Sequence, residues 1–194
     1  MEAIPRLASD TAERAGGDPA EELALRARTD AEAFGELYQR HRDAVFRYLR
    51  ARCRDDDLAI ELTAVTFEKA LRSIHRYRTK GGGVLAWLLR IGRNAAADHE
   101  RRQRPLVPQW RMNTDRPSLE PSPEEAVVRS DERRRLRLLV ADLPELQRDA
   151  LALRFGAGLT AREIGAVIGK NEEATQKLIS RAVARLKEVA HDQF

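Results

Sequence analysis

The sequence predicts an all-α protein made of two small helical domains joined by a flexible, proline-rich linker. Apolar side chains recur every three or four residues on both sides of the middle of the chain, which is the period of amphipathic helices. Five of the eight prolines fall between Pro105 and Pro123, where they exclude a helix. These observations divide the chain into four segments, which are a disordered leader (1–19), an N-terminal helical domain (20–104), a linker (105–123) and a C-terminal helical domain (124–194).

The composition favours a cytoplasmic protein that is not an enzyme. Charged residues make up 34% and hydrophobic residues 42% of the 194, which is typical of a soluble globular chain. Cys53 has no partner for a disulfide, no apolar run approaches the roughly 18 residues of a membrane span, and the N-terminus lacks a signal-peptide pattern. No carboxylate pair stands out in an apolar context, so no catalytic residue, metal or cofactor is predicted. The four histidines also lack the sequence spacing of metal-binding residues; they are His41, His75, His99 and His191.

Capping signals and an apolar stripe predict the first two helices. Residues 20–28 form a short helix, and Thr29 with Glu32 supplies the S/T-x-x-E signature that starts a second one. The stripe of this second helix must be buried; it carries Phe34, Leu37, Tyr38, His41, Val45, Tyr48 and Leu49. His41 is interpreted as a histidine of the core or its boundary rather than a ligand.

The third helix is predicted from an acidic start and a broad apolar arc. Residues 55–57 are all Asp, which is favourable at the positive end of a helix dipole. Two apolar rows predict packing on two sides; Leu58, Leu62 and Val65 form one, and Ile60, Phe67, Leu71 and Ile74 form the other. Residues 75–83 (HRYRTKGGG) are basic and lack apolar anchors, so we expect an exposed, adaptable loop whose glycines act as a hinge rather than a phosphate cradle.

The fourth helix, predicted over residues 84–104, joins an apolar side to a high density of cations. Its packed face is predicted to carry Trp87, Ile91, Asn94 and Asp98, and its basic side Arg90, Arg93, Arg101 and Arg102. Between Lys69 and Arg104 ten Lys or Arg stand against two acids, a local excess of +8 in a chain whose total is +4. This concentration favours a polyanionic partner, because each neutralised phosphate releases counterions. A solvated basic face is the alternative.

Aromatic rings interleaved with these cations point more specifically to nucleic acid. His75, Tyr77 and Trp87 could hold unstacked bases, at roughly 1 to 3 kcal/mol per stacked base. Trp87 taken alone is more typical of a core position, because a large apolar ring at helical spacing usually packs inward.

The C-terminal domain has the pattern of a helix-turn-helix. One helix closes at Leu143, Pro144 opens the next, and glycines 156 and 158 end it. A capping box at residues 160–163, a tight turn at Gly169 and a cap at Asn171 then define two further helices. The exposed side of the last helix bears side chains that read base edges or phosphates: Glu172, Glu173, Gln176, Lys177, Ser180 and Arg181. An ordinary helical hairpin with a charged outer face is the alternative.

Taken together, these motifs resemble an extracytoplasmic-function (ECF) sigma factor, a bacterial RNA polymerase initiation factor. AWLLRIGRN (86–94) with Asp98, Arg101 and Arg102 is similar to the segment of sigma domain 2 that recognises the minus-ten element. LPELQRDALALRF, GLTAREIGAVIG and RAVARLKE are similar to sigma domain 4, the helix-turn-helix that reads the minus-thirty-five element. The resemblance extends from about residue 20 to residue 190.

The resemblance implies partners and site residues. The partners are core RNA polymerase, through its clamp coiled coil and its flap, promoter DNA, and an anti-sigma factor. Contacts to the minus-ten region are implied for Arg76, Tyr77, Arg78, Lys80, Trp87, Arg90, Arg93, Asn94, Asp98, Arg101 and Arg102. Contacts to the minus-thirty-five region are implied for Arg162, Asn171, Glu172, Glu173, Gln176, Lys177, Ser180 and Arg181. Contacts to core polymerase are implied for Leu58, Glu61, Leu62, Ala64, Val65 and Glu68.

The chain also departs from the family pattern in two places. Ala64 and Val65 stand where polar clamp-contacting residues are usual, and residues 174–176 (ATQ) replace a common Thr-Val-Lys in the recognition helix. The promoter preference of relatives therefore does not transfer. Two other functions stay open, which are a stand-alone helix-turn-helix regulator and a scaffold in which both domains mainly grip a protein partner.

Overall fold

The computed structural model describes residues 18–53, 55–78, 82–103, 136 and 138–191, and the regular structure in those ranges is helical. The N-terminal unit (residues 18–103) contains α1 (Pro19–Arg26), α2 (Ala31–Arg52), α3 (Asp56–Ser73) and α4 (Gly83–Gln103). The C-terminal unit (residues 138–191) contains α5 (Glu145–Leu151), a π-helical turn (Ala152–Gly156), α6 (Ala161–Ile168) and α7 (Glu172–His191). The all-α prediction is confirmed. The linker at 105–123 and the leader up to residue 17 lie outside the described residues.

Local capping chemistry sets the starts of the N-terminal helices. Asp18 caps α1 by accepting a hydrogen bond from the amide of Ala20. The helix therefore starts at Pro19, a residue that the sequence analysis assigned to the leader. The cap of α2 is Asp30, one residue later than the predicted Thr29, because the Asp30 carboxylate accepts from the amide of Glu32 at 2.9 Å. The acidic start of α3 is confirmed, with Asp55 as its cap.

The stripe of α2 forms the centre of the N-terminal unit. Leu37, Val45, Tyr48 and Leu49 are completely buried. His41 is also buried, as predicted, and burial together with Arg40 lowers the pKa of its imidazole.

The second apolar row of α3 does not pack as predicted. Phe67 and Ile74 are buried, but Ile60 is 58% and Leu71 53% exposed. Residues 60 and 71 do not join the core that α3 forms with its neighbours, so the helix packs over a narrower arc than its composition indicates.

The buried face of α4 also differs from the prediction. Trp87, Ile91 and Asp98 are half-buried and Asn94 is exposed, so these residues flank the packed side instead of forming it. The buried positions are mostly aliphatic or small; they are Val84, Ala86, Leu88, Leu89, Gly92, Ala95 and Ala96. Gly92 allows close contact with α3, because a Cβ there would lie 3.2 Å from the Thr66 hydroxyl.

The C-terminal unit follows its sequence signals closely. Thr160 and Glu163 make both hydrogen bonds of a capping box at the start of α6. Gly169 ends α6 at a φ of 71°, and Asn171 caps the next helix by accepting from the amide of Ala174 at 2.8 Å. Gly165 permits the tight turn, since a Cβ there would lie 2.4 Å from the carbonyl oxygen of Lys170. The predicted helix-turn-helix geometry is present.

The two units share one apolar core instead of packing separately. The π-helical turn lies against α2, and α6 lies against α4. Small residues line this contact: a Cβ on Gly156 would lie 2.6 Å from the carbonyl oxygen of Arg47, and a Cβ on Gly82 would lie 2.9 Å from the Cβ of Ala166. No helix in the described ranges has the length and apolar character needed to cross a membrane.

Candidate nucleic-acid interface

The basic surface predicted on the N-terminal unit is only partly open. Arg76 and Arg78, which follow α3, and Arg101 and Arg102, in the last turn of α4, are exposed. Lys80 lies outside the described residues. These four arginines therefore form the open part of the predicted basic surface.

Tyr77 does not present its ring to solvent. It is 3% exposed and lies edge-on to Trp87, with ring centroids 5.2 Å apart. Burial raises the pKa of its hydroxyl to about 12. The expectation that residues 75–83 lack apolar anchors is therefore wrong, because Tyr77 ties the start of this segment to α4. Trp87 is half-buried, so in this conformation it is mainly a packing residue.

Asp98 lies among the cations of α4 and is paired within its own unit. Its carboxylate accepts from Arg101 and lies 3.5 Å from the Lys69 ammonium group. These contacts moderate the positive charge at this end of the helix and fix the Arg101 side chain along the helix surface.

Arg90, Arg93 and Asn94 line an open groove between α4 and α6, in which Arg93 is half-buried and the other two are exposed. The Arg90 guanidinium donates to the carbonyl oxygen of Ala166 at 3.0 Å. Arg93 donates through Nε to Asp149 at 2.5 Å and through its second nitrogen to Glu145 at 3.5 Å. Two arginines at the centre of the predicted minus-ten surface, Arg90 and Arg93, therefore contact the C-terminal unit.

Asp149 is the hub of this contact, and its importance was not predicted from the sequence. Its side chain is completely buried and accepts from Arg52 at 2.7 Å and from the Tyr48 hydroxyl at 3.2 Å, in addition to Arg93. Glu100 joins the same network by accepting from Arg52 and from Arg148, each at 2.8 Å. We call these residues the Asp149 network; they are Tyr48, Arg52, Arg93, Glu100, Arg148 and Asp149.

The electrostatics of the network reflect its burial. Burial and the neighbouring Asp149 raise the pKa of the Tyr48 hydroxyl well above its usual value. Burial works to lower the pKa of Arg52, but Tyr48, Asp149 and Glu100 together raise it. Arg52 therefore keeps its charge although it is 1% exposed, and the pairing compensates for its desolvation.

The recognition face predicted on α7 is open. Its six predicted side chains are exposed; they are Glu172, Glu173, Gln176, Lys177, Ser180 and Arg181. Arg162 on α6 is exposed as well, whereas the Asn171 side chain is engaged in capping α7. Lys177 pairs with Glu173 at 2.6 Å on the helix surface. The opposite side packs inward through Thr175 and Ala182.

The predicted polymerase-contacting set lies on α3, and all but one of its side chains reach the surface. Glu61, Ala64 and Glu68 are exposed, and Leu58 and Val65 are half-buried. Leu62 is 3% exposed and belongs to the core of its own unit, so its side chain is not open to a partner in this structure.

A groove beside this set was missed by the sequence reasoning. It lies between α2 and α3 and has a volume of about 340 Å³. Its lining is partly aromatic and consists of Tyr38, Arg42, Asp43, Phe46, Ile60, Thr63 and Ala64. The available signal was the apolar Ile60 in a second row of α3. The helical pattern assigned this row to the interior, but Ile60 is exposed in the structure.

The chain is similar to known proteins in both units. Residues 37–105 match the family Sigma-70 region 2, and residues 139–188 match the family Sigma-70, region 4. The chain is 38% identical over 178 residues to the ECF RNA polymerase sigma factor BldN of Streptomyces coelicolor, covering 88% of this chain and 66% of that protein. It is 32% identical over 168 residues to the ECF RNA polymerase sigma factor SigD of Mycobacterium tuberculosis, covering 82% and 77%.

Solved structures share the fold at lower identity. CnrH, solved in complex with the cytosolic domain of CnrY, has a TM-score of 0.70 at 23% identity, covering 91% of this chain and 100% of that one. The sigma factor RpoE, solved in complex with the anti-sigma factor NepR from Bartonella quintana, has a TM-score of 0.61 at 19% identity, covering 82% and 98%.

Proposed function

The chain belongs to the ECF family of RNA polymerase sigma factors, and from this premise we propose that it directs core polymerase to promoters with both of its helical units. It acts as a specificity subunit without a catalytic step of its own, in the cytoplasm. The observation that carries this proposal is the joint presence of a basic α4 surface and an exposed α7 recognition face in one chain.

The N-terminal unit engages and helps to open the minus-ten region. Arg76, Arg78, Arg101 and Arg102 are exposed and supply sequence-independent phosphate contacts. Arg90, Arg93 and Asn94 extend this surface along the groove between α4 and α6. Opening DNA costs a few kcal/mol for each unstacked base step, which several simultaneous contacts together offset.

The C-terminal unit reads the minus-thirty-five region in the duplex. The first three turns of α7 offer the exposed side chains of Gln176, Lys177 and Arg181, whose chemistry suits base edges and phosphates in the major groove. The α6–α7 turn, tightened by Gly165, sets the angle at which α7 enters that groove.

Core polymerase is held through α3 and the groove beside it. Exposed Ile60 and the aromatic lining of Tyr38 and Phe46 fit an amphipathic helical partner, which is the chemistry of a clamp coiled coil. The polymerase flap contacts the C-terminal unit, and an anti-sigma factor competes for these surfaces.

The experiment is a binding and transcription assay with purified components. The chain should co-elute with core polymerase and start transcription at discrete positions on fragmented genomic DNA. Failure to bind core would overturn the proposal. Duplex-specific binding by the free chain that is undiminished when residues 1–104 are deleted would support a stand-alone regulator instead.

A further inference from the structure

Glu173 is an unusual side chain on the proposed recognition face, because its charge has the same sign as that of DNA. It lies in the first turn of α7, and its side chain is 76% exposed. The buried Thr175 is two residues further along, so Glu173 lies about 160° from it around the helix and points away from the packed side. In helix-turn-helix proteins the residues near the N-terminus of this helix contact base edges. Glu173 is therefore placed where a side chain meets a base.

Lys177 offsets the charge of Glu173. Its ammonium group donates to Oε1 of Glu173 at 2.6 Å, one helical turn along the same face. The pair is neutral as a unit, so the phosphates do not exclude it from the groove. An ammonium group has three N–H donors, and a carboxylate has a second oxygen. The contact between them leaves Lys177 able to reach a phosphate and Glu173 able to accept from a base.

We propose that Glu173 reads the amino group of a cytosine in the minus-thirty-five region, while Lys177 neutralises and orients its carboxylate. This inference rests on the proposed function in placing α7 in the major groove. Glu173 is then a specificity-determining residue, and Lys177 is a positioning residue that also contacts the DNA backbone. The ligand is a duplex with cytosine at one fixed position of the upstream motif.

The edges of the bases explain why cytosine is selected. An ionised carboxylate only accepts hydrogen bonds, and the major groove offers two kinds of donor, N4 of cytosine and N6 of adenine. Guanine presents acceptors at O6 and N7, and thymine presents an acceptor and a methyl group, so neither can donate to Glu173. Adenine places the acceptor N7 beside its donor, whereas cytosine does not. Cytosine is therefore the base that suits Glu173 best.

Glu173 also supplies specificity by exclusion. Against guanine or thymine its carboxylate would lose water and face another acceptor, and such unpaired contacts discriminate strongly between partners. Residues 174–176 next to it depart from the family pattern. The reading of this position therefore comes from side chains of this chain and not from the preference of its relatives.

A role limited to helix stability is the alternative. Acidic residues in the first turn interact favourably with the helix dipole, and an exposed Glu–Lys pair at this spacing stabilises a helix slightly. That role predicts a lower melting temperature for a Glu173 variant with no change in base preference. The two roles therefore differ in a measurable way.

The test is a selection with the complete holoenzyme. The full-length chain and core polymerase are mixed with a promoter found by mapping transcription starts, in which about ten consecutive base pairs of the upstream motif are randomised. Closed complexes are isolated at low temperature on a native gel, and their DNA is sequenced. Glu173→Gln is compared with the wild type and with Glu188→Gln. Glu188 is an exposed carboxylate of α7 beyond its first three turns, so its variant controls for the loss of charge.

The expected result is a change of preference at one position only. The wild type and Glu188→Gln should retain cytosine over guanine or thymine about tenfold at one shared position. Glu173→Gln should reduce this preference to less than about twofold and favour adenine there, because an amide side chain pairs with N6 and N7 of adenine. The absence of a cytosine-selected position in the wild type overturns the proposal. An unchanged preference in Glu173→Gln also overturns it, whether or not the melting temperature falls.

Two variants of Lys177 test its positioning role in the same selection. Lys177→Met removes the charge and leaves Glu173 without its partner, whereas Lys177→Arg keeps a cation at this position. Lys177→Met should weaken binding to all sequences and flatten the cytosine preference, and Lys177→Arg should retain that preference. Equal cytosine preferences in the two variants overturn the role of Lys177.

The selection also separates failure of this inference from failure of the proposed function. If the wild-type holoenzyme forms no closed complex on the promoter, the proposed function fails and the inference fails with it. If closed complexes form and their base preferences do not depend on Glu173, only the inference is overturned.

Discussion

Arg52 and Asp149 are 97 positions apart in the sequence, yet their side chains form a 2.7 Å hydrogen-bonded ion pair in which both are buried. This pair joins α2 of the N-terminal unit to α5 of the C-terminal unit. It lies beside the apolar core that the two units share.

Asp149→Ala should weaken the packing between the units strongly. Removing one partner of a buried pair leaves the other charge desolvated, which costs about 3 to 5 kcal/mol. Urea unfolding followed by circular dichroism measures the loss, and Glu145→Gln, an exposed pair, should lose less than about 1 kcal/mol. A loss for Asp149→Ala as small as that of the control would contradict the role of this pair.

Gly165→Ala should distort the helix-turn-helix. The added Cβ would lie 2.4 Å from the Lys170 carbonyl oxygen and 3.2 Å from the Thr175 hydroxyl, so the turn must open, at about 1 to 3 kcal/mol. Gly35→Ala on α2 is the matched control, because nothing lies within 4 Å of its built Cβ. That variant should gain up to about 1 kcal/mol from helix propensity. Thermal unfolding of both variants is the measurement, and a neutral Gly165→Ala would show that the turn is looser than the structure indicates.

The sequence predicted features whose partners are a few residues away and missed those whose partners are distant. The capping box of Thr160 and Glu163 was readable because both residues lie within one helical turn. Asp149 was not, because nothing in the local pattern of α5 indicates Arg52 or Arg93 as its partner. Tyr77 was assigned to an open loop for the same reason, since its burial depends on the Trp87 ring of α4.

The candidate site divides in the same way. The exposure of the six side chains predicted on α7 is confirmed, because it follows from the helical period of a single element. The packed face of α4 was predicted incorrectly, because α4 contacts α2 and α3 on one side and α6 on another. The periodicity of one helix does not indicate that a second helix, here α6 from the other unit, packs on another of its sides.

Cys53 should react slowly with thiol reagents in the folded chain. Burial raises the pKa of its thiol to about 11, so the reactive thiolate becomes abundant only as the pH approaches that value. At pH 8 roughly one thiol in a thousand is ionised. Iodoacetamide labelling followed by mass spectrometry measures the rate, and the same chain in urea is the control. Equal rates in the two conditions would contradict the burial of this residue.

Substitutions on the two helices that we propose contact DNA should affect different stages of initiation. Lys177→Ala or Arg181→Ala on α7 should weaken the closed complex of the holoenzyme at its promoter. Each should also reduce the slope of log affinity against log salt concentration by about one, because one phosphate contact is lost. Arg101→Ala on α4 should chiefly reduce opening. Permanganate footprinting of open DNA, beside filter binding at low temperature, separates the two stages.

Lys187→Ala is the control for the charge change, because this exposed lysine lies on α7 beyond the recognition turns. It should leave both stages within about twofold of the wild type, as expected for a surface charge without a phosphate partner. Equal effects of Lys177→Ala and Arg101→Ala on closed and open complexes would contradict the assignment of α7 and α4 to separate promoter elements.

The most direct test of the central claim is a map of transcription start sites made in vitro with the purified chain, core polymerase and genomic DNA. Two reading surfaces in one chain predict starts that share two upstream motifs at a fixed spacing, with the upstream motif losing its influence in Lys177→Ala. Starts that share one motif only, or an unchanged pattern when the chain is omitted, would contradict the claim.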